Sequence, residues 1–296
     1  MDLRRRIEFA LEEDLGASGD VTTDATIDAL AIGSGVIKAK EPLVVSGLDA
    51  ARKVFEVVGA RLGAYVSFQP AVVDGEEVAR GATVVKVHGN LRALLIGERT
   101  ALNLMMRMSG IATHTRRVMA SVGPATFTVV DTRKTTPLWR DLEKAAVRHG
   151  GGCNHRFGLF DGVLIKDNHI AAVGSVGEAV LRARQAAHHL LKIEVEVGDL
   201  EQLEEALRAG ADAILLDNMD DATLEAAVRR VRDVRASVIL EASGGMNAER
   251  LRSIAAIGLD LVSMGGLIHQ ARWVDLSMDI HQRSEPTPVV PVDDRG

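Results

Sequence analysis

The second half of the chain repeats one pattern, in which an apolar run of strand character is followed by a helical segment. Strands that alternate with helices at this spacing favour a parallel sheet with right-handed crossover connections. Six such units within about 140 residues predict an α/β barrel or a near-barrel, because a complete barrel of this kind has eight. The runs predicted to be strands are residues 126–130, 162–165, 191–197, 213–216, 237–240 and 260–264.

Polar residues and glycines stand where these apolar runs end. Parallel α/β folds bind their ligands at the carboxyl ends of the strands, so these positions are candidates for a site. The last two loops, EASGGM and SMGGL, can seat a phosphate on exposed backbone N–H groups. One two-glycine loop alone is more often a plain turn, but two in succession favour phosphate binding. In chain order the positions are Arg133, Lys134, Lys166, Glu196, Asp217, Ser243, Gly244, Gly245, Gly265 and Gly266.

Residues 131–168 form a basic island in an acidic protein. This segment holds seven Lys or Arg and five Asp or Glu residues, a net charge of +2, whereas the whole chain carries −6. Any one of these cations alone is more often an ordinary surface residue. Together they favour a small polyanion, because Arg forks match carboxylates and phosphates two oxygens at a time and Lys adds point charge. The sequence therefore predicts a substrate with several negative charges.

The first 90 residues predict a small α/β unit without an obvious reactive group. Apolar residues recur at helical spacing over residues 2–15, and Gly16 follows as a stop signal. Residues 16–26 are rich in turn formers and are interpreted as a loop. A second helix is predicted at 48–58, and short strands are predicted at 36–39, 43–45, 64–68 and 83–87.

Residues 91–122 give a continuous helical pattern that is too apolar to lie free on the surface. This helix is therefore predicted to be buried on most sides. Gly97 and Gly110 within it are interpreted as points of close packing or a break, since each costs up to about 1 kcal/mol relative to alanine. Arg99 is the charge that needs an explanation, and a local salt bridge with Glu98 is as good an explanation as a role in a site.

Composition excludes several classes of function. Aromatic residues make up 3% of the chain and the isoelectric point is near 5.9, which argues against nucleic-acid binding. Cys153 is the single cysteine, so the chain needs no oxidising compartment for an internal disulfide. Acidic residues interrupt the first helix before any signal-peptide core, and no run approaches the ~20 apolar residues of a membrane span. We expect a cytoplasmic protein that binds neither nucleic acid nor membrane.

Three motifs carry a resemblance to a known family. DTRKTTP, GGGCNHR and LIKDNHI, in this order and spacing, resemble the quinolinate phosphoribosyltransferases, also called nicotinate-nucleotide pyrophosphorylases, and the similarity extends over nearly the whole chain. One departure is Leu138–Trp139, where the family commonly has a glycine followed by a hydrophobic residue. This departure affects the expected shape of the loop but removes no charged group.

The resemblance implies an α/β fold of the type II phosphoribosyltransferase kind. It consists of an N-terminal open α/β sandwich domain, expected over residues 1–107, and a C-terminal incomplete parallel α/β barrel with the catalytic site, expected over 108–272. Residues 273–283 are expected to pack back on the first domain, and 284–296 are expected to form a disordered tail. The family also implies a homodimer with shared active sites, and a larger assembly is left open.

The implied reaction is the Mg²⁺-dependent transfer of phosphoribosyl from phosphoribosyl pyrophosphate to quinolinate. It gives nicotinate mononucleotide, pyrophosphate and CO₂ and serves NAD biosynthesis. The implied catalytic residues are Lys134, Glu196 and Asp217, and the two carboxylates are the implied Mg²⁺ ligands, with the ion held mainly through the pyrophosphate. The implied quinolinate-binding residues are Arg99, contributed by the partner subunit, and Arg133, His155, Arg156 and Lys166. The implied phosphoribosyl-binding residues are Lys134, Glu196, Asp217, Ser243, Gly244, Gly265 and His269, with Thr132, Gly245, Met264 and Gly266 beside them.

Two other functions stay open at this point. A related transferase that acts on nicotinate or another cyclic acid would keep the phosphate loops but need fewer cations than the chain has. A non-catalytic barrel that senses a nucleotide precursor would have lost one of Lys134, Glu196 or Asp217, and all three are present. The full set of residues therefore favours the quinolinate enzyme.

Two smaller groups of residues are better explained without a site. Cys153 beside His155 is a weak candidate for a nucleophile, because no third group that would orient the pair is apparent in the sequence. His188 and His189 lie on a predicted helix without partner ligands, so a solvated helix face explains them better than a zinc site does.

Overall fold

The computed structural model describes residues 2–234 and 237–282, and the tail predicted at 284–296 lies outside them. Two hydrophobic cores are found within the described residues. One gathers buried side chains of the first part of the chain, such as Phe55 and Leu94. The other gathers side chains of the second part, such as Ile193 and Leu240. No helix of the described residues is both long and apolar enough to cross a membrane.

The first core is covered by an antiparallel sheet with the strand order β12-β1-β5-β3. The edge strand β12 (Leu276–Gln282) comes from the end of the described chain and pairs with β1 (Ile32–Ala39). Strands β2 and β4 form a separate pair. The other elements of this part are α1 (Leu3–Leu15), α2 (Val21–Thr26), β2 (Leu43–Val44), α3 (Leu48–Leu62), β3 (Val66–Pro70), β4 (Glu77–Val78) and β5 (Thr83–Asn90).

Two elements of this part, α2 and β1, differ from the prediction, and helix capping and strand pairing explain why. The interpretation of residues 16–26 as a loop is wrong, because Asp20 caps a short helix there by accepting the backbone N–H of Thr23 at 2.9 Å. Strand β1 begins four residues earlier than predicted, since it pairs on both sides with β5 and β12. Gly35 suits that position because a Cβ there would lie 2.8 Å from the side chain of Val87.

Helix α4 (Leu91–Val122) matches the prediction and contributes to both cores. The two internal glycines mark close packing and not a break, because the helix is continuous. A Cβ on Gly97 would lie 2.9 Å from the ring of Phe55, and a Cβ on Gly110 would lie 2.1 Å from the carbonyl oxygen of Arg272. A neighbouring ring or carbonyl group can approach α4 this closely only where the side chain is absent.

The second core lies inside and around a parallel sheet of six strands in the described part of the chain, with the order β6-β11-β10-β9-β8-β7. This arrangement confirms the predicted incomplete barrel, and with it the fold class. The strands are β6 (Thr128–Val130), β7 (Val163–Ile165), β8 (Ile193–Val197), β9 (Ala213–Asp217), β10 (Ile239–Ser243) and β11 (Leu261–Ser263). The helices are α5 (Arg140–His149), α6 (Asp167–Val173), α7 (Val176–Ala186), α8 (Leu200–Ala209), α9 (Asp221–Val234), α10 (Ala248–Ser253) and α11 (Gly266–His269).

The barrel is open between its two edge strands, β6 and β7, and the segment around Cys153 lies in the opening. Cys153 forms a parallel bridge with Val130, in which its N–H donates to Val129 at 3.0 Å and its carbonyl accepts from Asp131 at 3.0 Å. The Cys153 residue is exposed. This short extended segment carries the chain from α5 to the mouth of the barrel.

Two predictions about the barrel elements need correction. Helix α7 ends at Ala186, so His188 and His189 lie in the following turn and not on a helix. Strand β10 is shifted to Ile239–Ser243 from the predicted 237–240, because it pairs residue by residue with β9 as far as Asp217. As a result, Asp217 and Ser243 are the last residues of their strands and not the first residues of the loops.

Candidate active site

A cavity of about 750 Å³ lies at the carboxyl ends of the barrel strands. Of the sixteen residues predicted to bind substrate, Arg99 is the one that does not line it. The cavity draws on every strand of the parallel sheet because the carboxyl ends of parallel strands meet at one edge. The predicted residues that line it are Thr132, Arg133, Lys134, His155, Arg156, Lys166, Glu196, Asp217, Ser243, Gly244, Gly245, Met264, Gly265, Gly266 and His269.

The cations of the cavity come from the segment after β6, from the segment in the barrel opening and, as Lys166, from the end of β7. Arg133 and Lys134 follow β6, and the Lys134 N–H donates to Thr132 Oγ1 at 3.1 Å. Arg156 comes from the segment in the barrel opening, where its Nη1 donates to the carbonyl of Gly162 at 2.9 Å. Burial and the charge of Arg133 lower the pKa of the Arg156 guanidinium. Two guanidinium groups that repel each other in this way attract an anion placed near both.

Asp131, which was not among the predicted site residues, organises the opening of the barrel. It is fully buried and forms an ion pair with Lys144 of α5, which is also buried. Its carboxylate also accepts the Asn154 amide at 2.6 Å and the His155 backbone N–H at 3.0 Å. Lys144 Nζ donates to the His155 carbonyl at 3.0 Å. The buried pair therefore fixes the backbone that carries His155 and Arg156 into the cavity.

Two carboxylates that were not predicted, those of Glu194 and Glu241, lie inside the barrel beside the predicted His155. His155 Nε2 lies 3.3 Å from Glu194 Oε2 of β8 and 3.4 Å from Glu241 Oε2 of β10. The Glu241 side chain is fully buried, and neither of its carboxylate oxygens has a hydrogen-bond partner among the described residues. On the other side of the ring, Nδ1 accepts the backbone N–H of Arg156 at 2.7 Å. Both nitrogens of His155 therefore face protein groups.

The electrostatics of this cluster hold one ionisable proton at neutral pH. Burial lowers the pKa of His155, but its contacts with Glu194 and Glu241 outweigh burial and raise the pKa to about 10. Burial likewise raises the pKa of Glu194. An imidazolium has no nitrogen that can accept a hydrogen bond. Because Nδ1 accepts the backbone N–H of Arg156, the ring keeps one proton on Nε2, and the further proton is shared with the two carboxylates and belongs to the cluster as a whole.

The two carboxylates predicted to be catalytic are already engaged by neighbours. Glu196 forms a close ion pair with Lys166, whose side chain is 46% exposed. Asp217 accepts a hydrogen bond from the side-chain amide of Asn218 at 2.7 Å. Asn218 has a φ of +54°, in the left-handed region that asparagine tolerates better than most residues. The site thus holds these acids in place before any ligand arrives.

The two glycine loops differ in what surrounds them. Gly244 has a φ of +94°, and a Cβ there would lie 2.1 Å from the Asn218 side chain. Gly265 has an ordinary φ of −61°, but a Cβ there would lie 2.9 Å from Lys134 Cδ and 3.1 Å from Thr132 Oγ1. Gly244 is therefore required by the protein backbone, whereas Gly265 keeps space beside a cavity cation.

The alternation of side chains along a strand is the signal that could have revealed two of the unpredicted residues, Glu194 and Glu241. Side chains two residues apart on a strand share a face. Glu194 precedes the predicted Glu196 by two positions, and Glu241 precedes Ser243 by two positions, so both carboxylates point to the ligand side. No comparable signal exists for Lys144, whose place on an amphipathic helix is that of an ordinary cation. The unpredicted residues that line the cavity are Leu164, Leu215, Asn218, Glu241, Met246, Ser263 and Gln270.

This fold and this cavity define an incomplete α/β-barrel protein with cations, acids and glycine loops around one cavity at the carboxyl ends of its strands. The family model for the quinolinate phosphoribosyl transferase C-terminal domain matches residues 111–279, and the N-terminal domain model matches residues 20–109. The chain belongs to the quinolinate phosphoribosyltransferase family. The resemblance and the enzyme class predicted from the sequence are confirmed.

Individual relatives agree with this assignment along nearly the whole chain. The nicotinate-nucleotide pyrophosphorylase [carboxylating] of Mycobacterium leprae is 44% identical over 278 residues, which cover 94% of this chain and 96% of that protein. The probable enzyme of the same name from Bacillus subtilis is 39% identical and covers 96% of both chains. The crystal structure of NadC from Streptococcus pyogenes superposes with a TM-score of 0.89 at 38% identity, covering 95% of this chain and 97% of that one.

Proposed function

We propose that this chain transfers the phosphoribosyl group of phosphoribosyl pyrophosphate to quinolinate with loss of CO₂, giving nicotinate mononucleotide and pyrophosphate for NAD biosynthesis. The observation that carries the proposal is the composition of the cavity. Cations that suit two carboxylates, a pair of acids and two glycine loops all line one space at the carboxyl edge of the barrel. The relatives from Mycobacterium leprae and Bacillus subtilis are both named nicotinate-nucleotide pyrophosphorylase [carboxylating], the second as a probable enzyme, and this name supports the proposed reaction. A cytoplasmic location belongs to the proposal, supported by the single cysteine.

The dicarboxylate acceptor suits the side of the cavity formed by Arg133, Arg156 and Lys166. Arg156 is anchored through Nη1 to the Gly162 carbonyl, which leaves its other guanidinium donors for a ligand. Lys166 is ion-paired with Glu196 but nearly half exposed, so it can share its charge with an incoming carboxylate. His155 also lines the cavity, but both of its ring nitrogens already contact protein groups, so neither is left to bind a carboxylate of the acceptor.

The phosphoribosyl donor suits the opposite side, where the acids and glycines lie. Glu196 pairs in register with Leu215, so Asp217 is two residues further along the adjacent strand and shares the face of Glu196. Departure of pyrophosphate leaves positive charge on the ribose C1 carbon, and these two carboxylates stabilise it. Lys134 meets the negative charge of the leaving group, and the backbone around Gly265 lies within reach of a phosphate because no side chain blocks it.

The donor atoms of the site fit Mg²⁺. Mg²⁺ in phosphate-transferring enzymes is held by one or two carboxylates together with substrate phosphates, and Glu196 and Asp217 offer such carboxylates on neighbouring strands. When bound, the ion would neutralise charge on the pyrophosphate. Metal dependence is thus part of the proposal, and chelation followed by addition of Mg²⁺ would test it.

The acceptor chemistry needs no further cofactor. The pyridine nitrogen of quinolinate attacks the ribose C1 carbon and becomes quaternary. Its positive charge then stabilises the carbanion that remains on the adjacent ring carbon when CO₂ leaves, and a proton replaces the carboxylate there. The residues of the chain bind and orient both substrates for this sequence, which is a large part of the rate enhancement in two-substrate reactions.

A homodimer with shared sites is a further part of the proposal. Arg99 on α4 is exposed and, apart from the charge of its neighbour Glu98, has no hydrogen bond or ion pair among the described residues. It needs a second chain to reach a cavity that it does not line. An apolar patch of Phe157, Leu159 and Phe160, which are 41%, 72% and 78% exposed, lies on the segment next to Arg156 and offers surface for such a contact.

One assay distinguishes the proposed function from its rivals. Purified protein is incubated with Mg²⁺ and phosphoribosyl pyrophosphate and either quinolinate or nicotinate, and mononucleotide is quantified by mass spectrometry. We expect mononucleotide from quinolinate, with release of one CO₂ per mononucleotide. We expect no mononucleotide from nicotinate. Turnover of nicotinate alone would identify the related transferase, and binding of both substrates without turnover would identify a sensor.

A further inference from the structure

The loop after Lys134 contains a turn with an unusual residue. Residues 136–139 form a tight turn in which the Trp139 N–H donates to the Thr136 carbonyl at 3.1 Å. Pro137 occupies the second position, and Leu138 at the third position has a φ of +68°. Proline followed by a positive φ is the signature of a type II turn, which normally has glycine at the third position. Leu138 therefore adopts the glycine conformation at a steric cost.

Arg6 of helix α1 holds this turn. Its Nη1 donates to the Leu138 carbonyl, and its guanidinium forms two hydrogen bonds with the Asp141 carboxylate at 2.7 and 2.6 Å. The same guanidinium lies 5.4 Å from the centre of the Trp139 ring. Arg6 is 6% exposed, whereas the Asp141 side chain is 46% exposed. A bidentate Arg–carboxylate pair is among the most directional contacts in proteins.

The turn follows directly on the loop that carries two cavity cations, Arg133 and Lys134. On its inner side, Thr136 is fixed by Glu143, which accepts the Thr136 N–H at 2.8 Å and hydroxyl at 2.9 Å. Arg107 of α4 in turn holds Glu143 at 3.0 Å. Between this support and strand β6 stand Arg133 and Lys134. The turn held by Arg6 and the Thr136 contacts with Glu143 together therefore fix the end of the segment that carries both cations.

We propose that Arg6 is a positioning residue for the reaction: by holding Leu138 in the left-handed conformation, it places the loop that carries Arg133 and Lys134 at the cavity. This inference rests on the proposed function for its readout. It also assigns a role in the active site to the first helix of the chain, which contributes no side chain to the cavity. Leu138 makes this support necessary, because a glycine would adopt the same φ without help.

The test is a double-mutant cycle of Arg6→Ala and Leu138→Gly, assayed with both substrates. We expect Arg6→Ala to lower kcat/KM for phosphoribosyl pyrophosphate roughly 10- to 100-fold, the loss that follows when a group is displaced by about 1 Å. Leu138→Gly alone should stay close to wild type. In the double variant most of the lost activity should return, because glycine keeps the turn without Arg6. A helix that merely stabilised the fold would give no such rescue.

The controls separate this inference from simple unfolding and from the proposed function. Arg4→Ala removes an exposed cation of the same helix, paired with Glu8, and should leave kcat/KM unchanged. If Arg6→Ala does not fold, Asp141→Asn takes its place, since it weakens the clamp and leaves Arg6 present. Full activity of a folded Arg6 or Asp141 variant, or a loss that Leu138→Gly fails to restore, would overturn the inference. An inactive wild-type protein would instead contradict the proposed function.

Discussion

Single residues in this site have roles that their type alone does not reveal, as Gly244 and Gly265 illustrate. Both lie in two-glycine loops, but Gly244 has a positive φ and contacts Asn218, whereas Gly265 borders Lys134. A side chain at Gly244 would strain the backbone whether or not a phosphate binds beside it. Gly265 is therefore the position at which the phosphate proposal can be tested cleanly.

For Gly265→Ala we expect weaker binding of phosphoribosyl pyrophosphate with quinolinate binding retained. The added methyl group would displace Lys134, and loss of one charge-assisted contact costs about 1.5–3 kcal/mol, or roughly 10- to 150-fold in the dissociation constant. Calorimetry with each substrate separately measures the two affinities. Equal loss of both ligands would show that the loop supports the whole fold instead.

Arg156 provides the matching test on the acceptor side. Arg156→Lys keeps the charge but loses the planar fork, so we expect a loss of about 1.5–3 kcal/mol in transition-state stabilisation. The control is Arg182→Lys, an exposed arginine of α7 paired with Glu178, which should have no effect on kcat/KM. Full activity of the Arg156 variant would mean that this arginine is only a structural cation.

The His155 cluster predicts a pH dependence of stability. The unfolded imidazole has a pKa near 6.5, whereas in the folded protein the contacts of His155 with Glu194 and Glu241 raise the pKa for the proton of the cluster to about 10. The folded state therefore binds more protons between these values, and the contribution to the free energy of unfolding, complete below pH 6.5, is lost as pH rises towards 10.

Denaturant titrations between pH 6.5 and 10 measure this dependence. In Glu241→Gln one of the two carboxylates that raise the pKa is absent, so stability should fall less with pH than in wild type. Glu249→Gln, at an exposed position of α10, should reproduce the wild-type slope. Equal slopes in all three proteins would show that the proton of the cluster does not distinguish folded from unfolded protein.

At the scale of elements, the sequence predicted most of what periodicity and strand ends can encode. Helix α4 and the six barrel strands follow from apolar patterns, and the residues at strand ends line one cavity because parallel strands end at one edge. Contacts between distant segments were not predictable. Arg6 with Asp141, and Asp131 with Lys144, each join charges whose separation in the sequence says nothing about their distance in the fold.

Helix α4 itself gives a prediction about packing. Gly110→Ala would place a Cβ 2.1 Å from the Arg272 carbonyl, and because backbone is hard to displace, we expect a loss of at least about 1–3 kcal/mol in the free energy of unfolding. Gly198→Ala is the control and should change stability little, since among the described residues beyond its chain neighbours the nearest atom to a Cβ there, Gln202 Oε1, would lie 3.8 Å away. Thermal and urea unfolding compare the two. A stable Gly110→Ala protein would mean that α4 can move away from residues 272–273.

At the scale of the whole molecule, the proposed shared site predicts complementation between inactive chains. Arg99→Ala and Lys166→Ala should each be nearly inactive alone. In a two-fold dimer whose sites combine Arg99 of one chain with Lys166 of the other, a mixed dimer has one intact site. Random exchange makes about half of the dimers mixed, so about a quarter of wild-type activity should return. If both residues acted within one chain, mixing would restore nothing, provided that mass spectrometry confirms exchange.

The position of β12 at the edge of the first sheet has a consequence for synthesis on the ribosome. Its partner β1 ends at Ala39, and β5, the other neighbour of β1, is complete at Asn90, but β12 begins only at Leu276. At translation rates of about 5–20 residues per second, the free edge of β1 waits roughly 10 to 40 s for its last partner. During that interval a nascent chain exposes unpaired backbone to other nascent chains on the same messenger. The half of the protein that is made first is therefore the half that is finished last.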